Sequence, residues 1–279
     1  VIWKIRDREI DLSRRALVMG IINTTPDSFS DGGSFLDPQA ALAHGLAMVA
    51  EGAEILDIGG ESTRPGAQGV SADEEIQRVL PVIQALRRES QVLISIDTSK
   101  AAVARAALDA GADIINDVTG LRGDADMLAL AASSKAGVVI MHMQGEPRTM
   151  QVAPAYEDVV SEVGEFFRHS LAGAVASGID PMCIALDPGI GFGKSPEHNR
   201  RLLAELSAFL SLGRPLLVGV SRKSFLGWLA GSMAMDARFW PGVALTSICR
   251  ERGAKILRVH DVKPHTEALR MTEAIIGHV

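Results

Sequence analysis

Asp97, Asn116 and Asp187 each end a short, deeply apolar run, which places two carboxylates and an amide low in whatever pocket those runs enclose. A carboxylate can accept two parallel N–H bonds from an amidine-like edge, so this set suits a planar heterocycle that carries N–H donors. A pterin has such an edge. The same residue types also serve divalent metals, but two Asp and one Asn with no second Glu or His nearby make a thin ligand set.

A second group is cationic. Arg64 lies in a Gly/Pro-rich loop, Lys223 follows Ser221 by two positions, and Arg258 and His260 share one face of a strand because alternate residues point the same way. A buried Arg–His pair requires an anion, and phosphate or pyrophosphate suits it, with N–H donors from the helix that follows Ser221. The competing reading is an internal ion pair of Arg258 with Asp57 or Asp261.

Two familiar patterns fail on spacing. In DPGIGFGKS, Gly189 to Gly193 with Lys194 and Ser195 resembles a phosphate loop, but the spacer is one residue short and Pro188 occupies the earlier Gly position. The run also lacks the last Gly of a dinucleotide fingerprint. Its glycines would instead let the backbone and Phe192 come close to a ligand. Ser, His and Asp are all present, yet no GxSxG elbow marks a nucleophile.

These groups need a frame that brings strand ends together. Eight β-like runs recur: ALVMGII leading into Asn23, AEILDI at Asp57, VLISID at Asp97, ADIIND at Asn116, GVVIMH at His142, MCIALD at Asp187, PLLVGV before Ser221 and AKILRVH at His260. Helical stretches lie between them. Leu42, Leu46 and Val49 share a face after Pro38, Ser71 and Glu74 form a capping box, and Pro196 follows Ser195 in a first turn. Gly111, Gly137 and Gly253 are read as stops, Val159, Val163 and Leu171 as a longer helix, and Leu269 with Ile276 as a last one. The expected architecture is α/β, a (β/α)8 TIM barrel in a single domain over residues 1–279, rather than an open doubly wound sheet. Ile2, Ile10 and Leu12 around the Arg6-Asp7-Arg8 turn predict an N-terminal β-hairpin across the bottom of the barrel. Its mouth would then carry Asn23, Asp57, Asp97, Asn116, His142, Asp187, Ser221 and His260. The loops after Asn23 and Asp57, rich in Gly, Ser, Thr and Pro, read as lids, the first with Phe29 embedded in it.

Composition narrows the function. The chain of 279 residues is 47% hydrophobic, which supplies a large core, and its net charge of −6 provides no global field for nucleic acid or anionic membrane. The charged opening VIWKIRDREIDL argues against a secretory h-region, and no run has membrane-spanning length, so a cytoplasmic protein is expected. Cys183 and Cys249 stand far apart without a metal-binding pattern and are read as buried thiols.

In order along the chain, MGIINTTPDSFSDGG, DIGGESTRPGA, SIDTSK, IND, MHMQG, LDPGIGFGK, SRKSFLG and ILRVHDV resemble the dihydropteroate synthase family, from Met19 to Val262. The resemblance implies condensation of 6-hydroxymethyl-7,8-dihydropterin pyrophosphate with p-aminobenzoate, a homodimer and a Mg2+ cofactor. It implies a pterin pocket of Asp97, Asn116, Met141, Asp187 and Lys223, and a pyrophosphate site of Asn23, Arg64, Arg258 and His260, with Asn23 also touching the metal. Thr63, Arg64, Pro65, Phe29, Phe192 and Ser221 would form the p-aminobenzoate side. Asp31 on the first lid joins Asp97, Lys223, Arg258 and His260 in the catalytic set. Thr24 departs from the family, which usually has an aliphatic residue there. A pterin-dependent methyltransferase barrel, a catalytically silent homologue and a Schiff-base aldolase using Lys223 are the competing readings.

Overall fold

The computed structural model describes residues 1–25, 38–63, 67–146, 149–232 and 234–277. It opens with an antiparallel hairpin of β1 (Ile2–Ile5) and β2 (Arg8–Asp11). Strand and helix then alternate: β3 (Leu17–Asn23), α1 (Pro38–Glu51), β4 (Ile55–Gly59), α2 (Ala72–Glu89), β5 (Leu93–Asp97), α3 (Ala101–Asp109), β6 (Ile114–Asp117) and α4 (Met127–Ser134). The second half continues with β7 (Gly137–Met141), α5 (Val159–Ala176), β8 (Ile184–Asp187), α6 (Pro196–Ala204), β9 (Leu216–Val218), α7 (Ser224–Leu229), α8 (Phe239–Glu251), β10 (Ala254–Val259) and α9 (Val262–Ile276). Strands β3 to β10 pair in parallel and close on themselves in sequence order, β10 against β3. This is the expected (β/α)8 barrel with its hairpin.

Strand parity organises the core. Ile55, Leu93, Ile114, Val139, Ala185, Leu217 and Ile256 face inward at the lower end, where Trp3, Ile5 and Leu12 from the hairpin complete a buried apolar floor. The indole N–H of Trp3 donates to the Cys183 carbonyl at 2.8 Å, so the one polar atom of this plug is satisfied. Residues of opposite parity, such as Leu56, Ile96, Ile140 and Leu186, pack against the helices.

Local signals held where packing left them alone. Gly111 and Gly253 follow α3 and α8 with positive φ, and Ser195 with His198 forms a full capping box at α6. Ser71 caps α2 by accepting from the Glu74 N–H, but the expected reciprocal half is absent because the Glu74 carboxylate pairs with Arg78. Gly137 does not stop a helix. Lys135, in the left-handed region at φ 55°, ends α4, and Gly137 opens β7 where a Cβ would meet Ile5 at 3.0 Å and Ile114 at 3.2 Å. The inner face of α1 is likewise turned by one residue from that expected, to Ala41, Gly45 and Met48, because at Gly45 only a hydrogen fits against Leu86.

Candidate active site

The same parity that builds the floor lifts polar groups into the mouth. Register pairs Gly59 with Asp97 and Asp97 with Asn116, while Met141 lies beside Asp187. Asp57, one inward step below Gly59, is wholly buried. Its Oδ2 accepts from Asn116 Nδ2 at 3.0 Å and from Arg258 Nε at 2.6 Å. The other arm of Arg258 donates from Nη2 to Asp97 Oδ2 at 2.6 Å. The internal ion pair thus exists and is double: Arg258 needs no external anion to be satisfied, since two carboxylates supply one. Asp57, which fixes both Asn116 and Arg258, was visible in the sequence as a strand-end carboxylate but was not separated there from residues that meet ligand.

Asp97, Asn116, Met141, Asp187, Phe192, Lys223 and Arg258 line one cavity, joined by Val118, Ile190 and Gly219. Val118, Ile190 and Gly219 carry no chemistry that sequence reading could detect; they shape the walls. Lys223 stands at the N-cap of α7 with its ammonium 4.2 Å from the centroid of the Phe192 ring, a cation–π contact. The Asp187 carboxylate accepts from the Gly189 N–H at 2.7 Å. Phe192 comes from the 188–194 loop, whose glycines are needed for close approach: a Cβ on Gly189 would sit 1.9 Å from the His142 carbonyl oxygen, and one on Gly193 2.3 Å from that of Gln144.

His142 is not in the mouth. It follows the inward Met141, so parity turns its ring outward, where it packs edge-on against Phe166 at 4.9 Å and meets the Lys194 ammonium at 3.0 Å through Nδ1. After β9 the inward positions are Gly219, which lines the cavity, and Ser221, one inward step further along the chain. Ser221 Oγ accepts from the His260 backbone N–H at 3.2 Å and lies 3.1 Å from His260 Nδ1, which ties the ends of β9 and β10 together. Beside them Arg222 makes a two-point pair with Asp261. Asn23 ends β3 opposite Gly59, and Thr24 is buried with its hydroxyl on the Gly59 carbonyl at 3.0 Å, so the unusual threonine stitches β3 to β4. Thr63 is half-buried at the start of the second loop. Phe29, Asp31, Arg64 and Pro65 lie outside the described residues.

Burial sets the electrostatics. Desolvation raises Asp97 to about 7 even though Arg258 pulls it down, and desolvation likewise raises Asp187 against the opposing Gly189 hydrogen bond. Lys223 falls to about 8, chiefly by desolvation and then by repulsion from Arg258. The cavity therefore holds two carboxylates and two cations whose charges are costly to keep there without a partner. Such a site favours a ligand with an N–H edge, one with spread positive charge, or both. Among the described residues no group of three or more His, Cys, Asp or Glu side chains could hold a metal ion.

A family model described as pterin binding enzyme matches residues 19–260, which takes in every barrel strand apart from the first two residues of β3. Dihydropteroate synthase of Escherichia coli is 48% identical over 260 residues, 93% of this chain and 92% of that protein. Among solved structures, the Yersinia pestis dihydropteroate synthase with a sulfonamide drug superimposes with a TM-score of 0.94 at 46% identity, covering 99% of this chain and 100% of that one. The Xanthomonas albilineans enzyme in complex with 7,8-dihydropteroate gives 0.88 at 42% identity, covering 99% of both chains. With a pterin-type cavity at the mouth of a (β/α)8 barrel and identity of this extent along its whole length, the chain belongs to the dihydropteroate synthase family of pterin-binding enzymes.

Proposed function

We propose that the chain joins 6-hydroxymethyl-7,8-dihydropterin pyrophosphate to p-aminobenzoate, releasing pyrophosphate and forming 7,8-dihydropteroate for folate biosynthesis. The observation that carries this reading is the convergence of Asp97, Asn116, Asp187, Lys223 and Arg258 on one cavity. Asp187 accepts from the amidine-like edge of the pyrimidine ring, Asn116 from a further ring N–H, and Lys223 donates toward the ring carbonyl. Met141 forms part of the wall beside them.

The bond from the pterin methylene carbon to the pyrophosphate oxygen breaks with its electron pair leaving on oxygen. The electron-rich dihydropterin takes up the positive charge. Asp97, under the ring, stabilises that cation, while Arg258 and His260, with Arg64 and Asn23, take the charge that develops on the leaving group. The amine nitrogen of p-aminobenzoate, held by Thr63, Arg64, Pro65, Phe29, Phe192 and Ser221, then forms the new C–N bond and loses a proton. Asp31 on the first loop completes this set. The loops after Asn23 and Asp57 exclude water, which would otherwise capture the cation. No covalent enzyme intermediate is needed, and Lys223 acts as a hydrogen-bond donor rather than as an amine nucleophile.

Mg2+ fits as an ion carried by the substrate: Asn23 offers one amide oxygen, and a hard cation that keeps several waters takes its other ligands from phosphate oxygens. When bound it would neutralise charge on the pyrophosphate. We extend the proposal to a cytoplasmic homodimer. Trp240 and Ile248 on α8 and Met271 and Ile275 on α9 are exposed, apolar side chains of the kind a second copy covers. Among the described residues no helix is long and apolar enough to cross a membrane.

The test is pyrophosphate release by the purified protein with Mg2+ and the pterin substrate, with p-aminobenzoate present or omitted. Dihydropteroate formation with stoichiometric pyrophosphate is the expected result, and slow release without the amine supports the dissociative order. Strict dependence of release on the amine overturns that order; pterin binding with no release under any condition overturns the synthase reading in favour of a silent homologue.

A further inference from the structure

Lys194 does not line the cavity, and sequence reading set it aside as part of a failed phosphate-loop pattern. It is nevertheless among the most deeply buried large side chains in the protein, at 2% exposure, and no carboxylate lies in ion-pair range of it among the described residues. A lysine is rarely left in that condition. Its ammonium has three donors, and three acceptors meet them: the Phe192 carbonyl at 2.9 Å, the His142 carbonyl at 3.3 Å and His142 Nδ1 at 3.0 Å. The acceptors come from two chain segments, the end of β7 and the 188–194 loop. Desolvation keeps the His142 ring neutral, and in the tautomer with its proton on Nε2 the Nδ1 atom accepts from Lys194.

The two segments are the two walls of the cavity. One residue before His142 stands Met141, and Phe192 both packs against the Met141 cluster and carries the Lys223 ammonium on its ring. Other bonds secure the loop to its outer neighbours, Tyr156 Oη donating to the Gly193 carbonyl and Gly191 N–H to Asn199 Oδ1. Lys194 is the group that binds the Phe192 backbone directly to the residue after Met141. Loss of its ammonium would leave the two buried His142 acceptors and the half-buried Phe192 carbonyl without this donor and release the spacing between the walls.

We infer that Lys194 is a positioning residue for the pterin substrate, clamping the Phe192 wall to the Met141 wall through His142. The inference rests on the synthase reading above. Lys194 does not line the cavity and spends its donors on His142 and the Phe192 backbone, so its loss weakens ground state and transition state alike.

The experiment compares Lys194→Met, Lys194→Arg, His142→Leu and His142→Gln with the wild type. Each protein is assayed for steady-state kinetics, calorimetric binding of the pterin pyrophosphate, and folding by circular dichroism and urea denaturation. For Lys194→Met the expected result is a KM and Kd for the pterin substrate raised about tenfold or more, with kcat within about twofold. Lys194→Arg, which keeps the charge and several donors, recovers much of the loss. His142→Leu keeps the packing on Phe166 but removes the ring acceptor and reproduces the loss; His142→Gln retains an acceptor and falls between. A folded Lys194→Met with wild-type pterin binding, or with kcat lowered and KM unchanged, overturns the inference. If Lys194→Met does not fold, the His142 pair decides it, and loss of fold in that pair as well makes the contact purely structural and overturns it. A wild-type protein that neither binds pterin nor releases pyrophosphate refutes the synthase reading instead.

Discussion

Arg258 and Asp97 meet at 2.6 Å across the barrel mouth although β10 and β5 stand three places apart in the strand order. With Asp57 on the second arm, the guanidinium is a bridge over the interior rather than a side chain waiting in solvent. Removing it leaves two carboxylates facing each other in a dry site. Arg258→Ala is expected to lose roughly a hundredfold or more in pyrophosphate release and about 3 kcal/mol in stability by urea denaturation. Arg258→Lys recovers little, because an ammonium cannot span both carboxylates as a fork does. Wild-type turnover in Arg258→Ala would refute the assignment.

The pH dependence follows from two groups in the same cavity. Asp97 must be ionised to stabilise a cationic pterin, so activity falls as pH drops through about 7. Lys223 must be protonated to donate, so activity falls as pH rises through about 8. The expected kcat/KM profile is a narrow bell between these limits. Asp97→Asn should be slow and should lack the acid limb; an acid limb that persists in this variant assigns it elsewhere.

Stability has a different pH dependence. Burial depresses His142 to about 3 and His265 to about 4, against 6.5 for the free imidazole. Below 6.5 the unfolded chain takes up protons that these native histidines refuse, so their contribution is present above 6.5 and lost progressively as pH falls toward 3 to 4. The histidine contribution to the urea midpoint should decline from pH 7 to pH 5, against an opposing gain from Asp97, which takes up its proton in the native state over the same range. His265→Gln, which keeps a polar partner for Thr246 at the 2.6 Å contact, should flatten part of that slope. An unchanged slope would show that other groups govern it.

Trp3 offers a test of the floor separate from the chemistry. It is fully buried against inward residues of the lower layer and makes its hydrogen bond to Cys183. Trp3→Ala should cost about 3–5 kcal/mol in urea denaturation while kcat of the folded fraction stays near wild type. A selective fall in kcat without destabilisation would mean the floor communicates with the mouth.

Much of this was legible because a barrel strand announces itself twice, by an apolar run and by the polar residue that ends it. Asp97, Asn116 and Asp187 were found that way and Arg258 by its alternation with His260, and all four line the cavity. One misplacement shows the limit: a run tells where a strand ends only to within a residue, and one residue decides whether a side chain faces the mouth or the helices. His142 was placed inward when Met141 holds that position. Lys194 and Asp57 were undervalued for another reason. Their importance lies in partners distant in sequence, Lys194 with His142 and Asp57 with Asn116 and Arg258, and spacing along the chain carries no trace of such pairs. Gly137 was misread because the side chains that exclude a Cβ there belong to the hairpin and to β6.

The hairpin plug gives the barrel a single doorway. With Trp3, Ile5 and Leu12 sealing the lower end, whatever enters the mouth must leave by it. The pterin residues lie deepest, at the strand ends, so a second substrate bound above them would bar the first from entering. Traffic through such a vestibule is expected to be ordered: pterin pyrophosphate loads before the amine that would stack above it, and both products leave by the opening through which the substrates came.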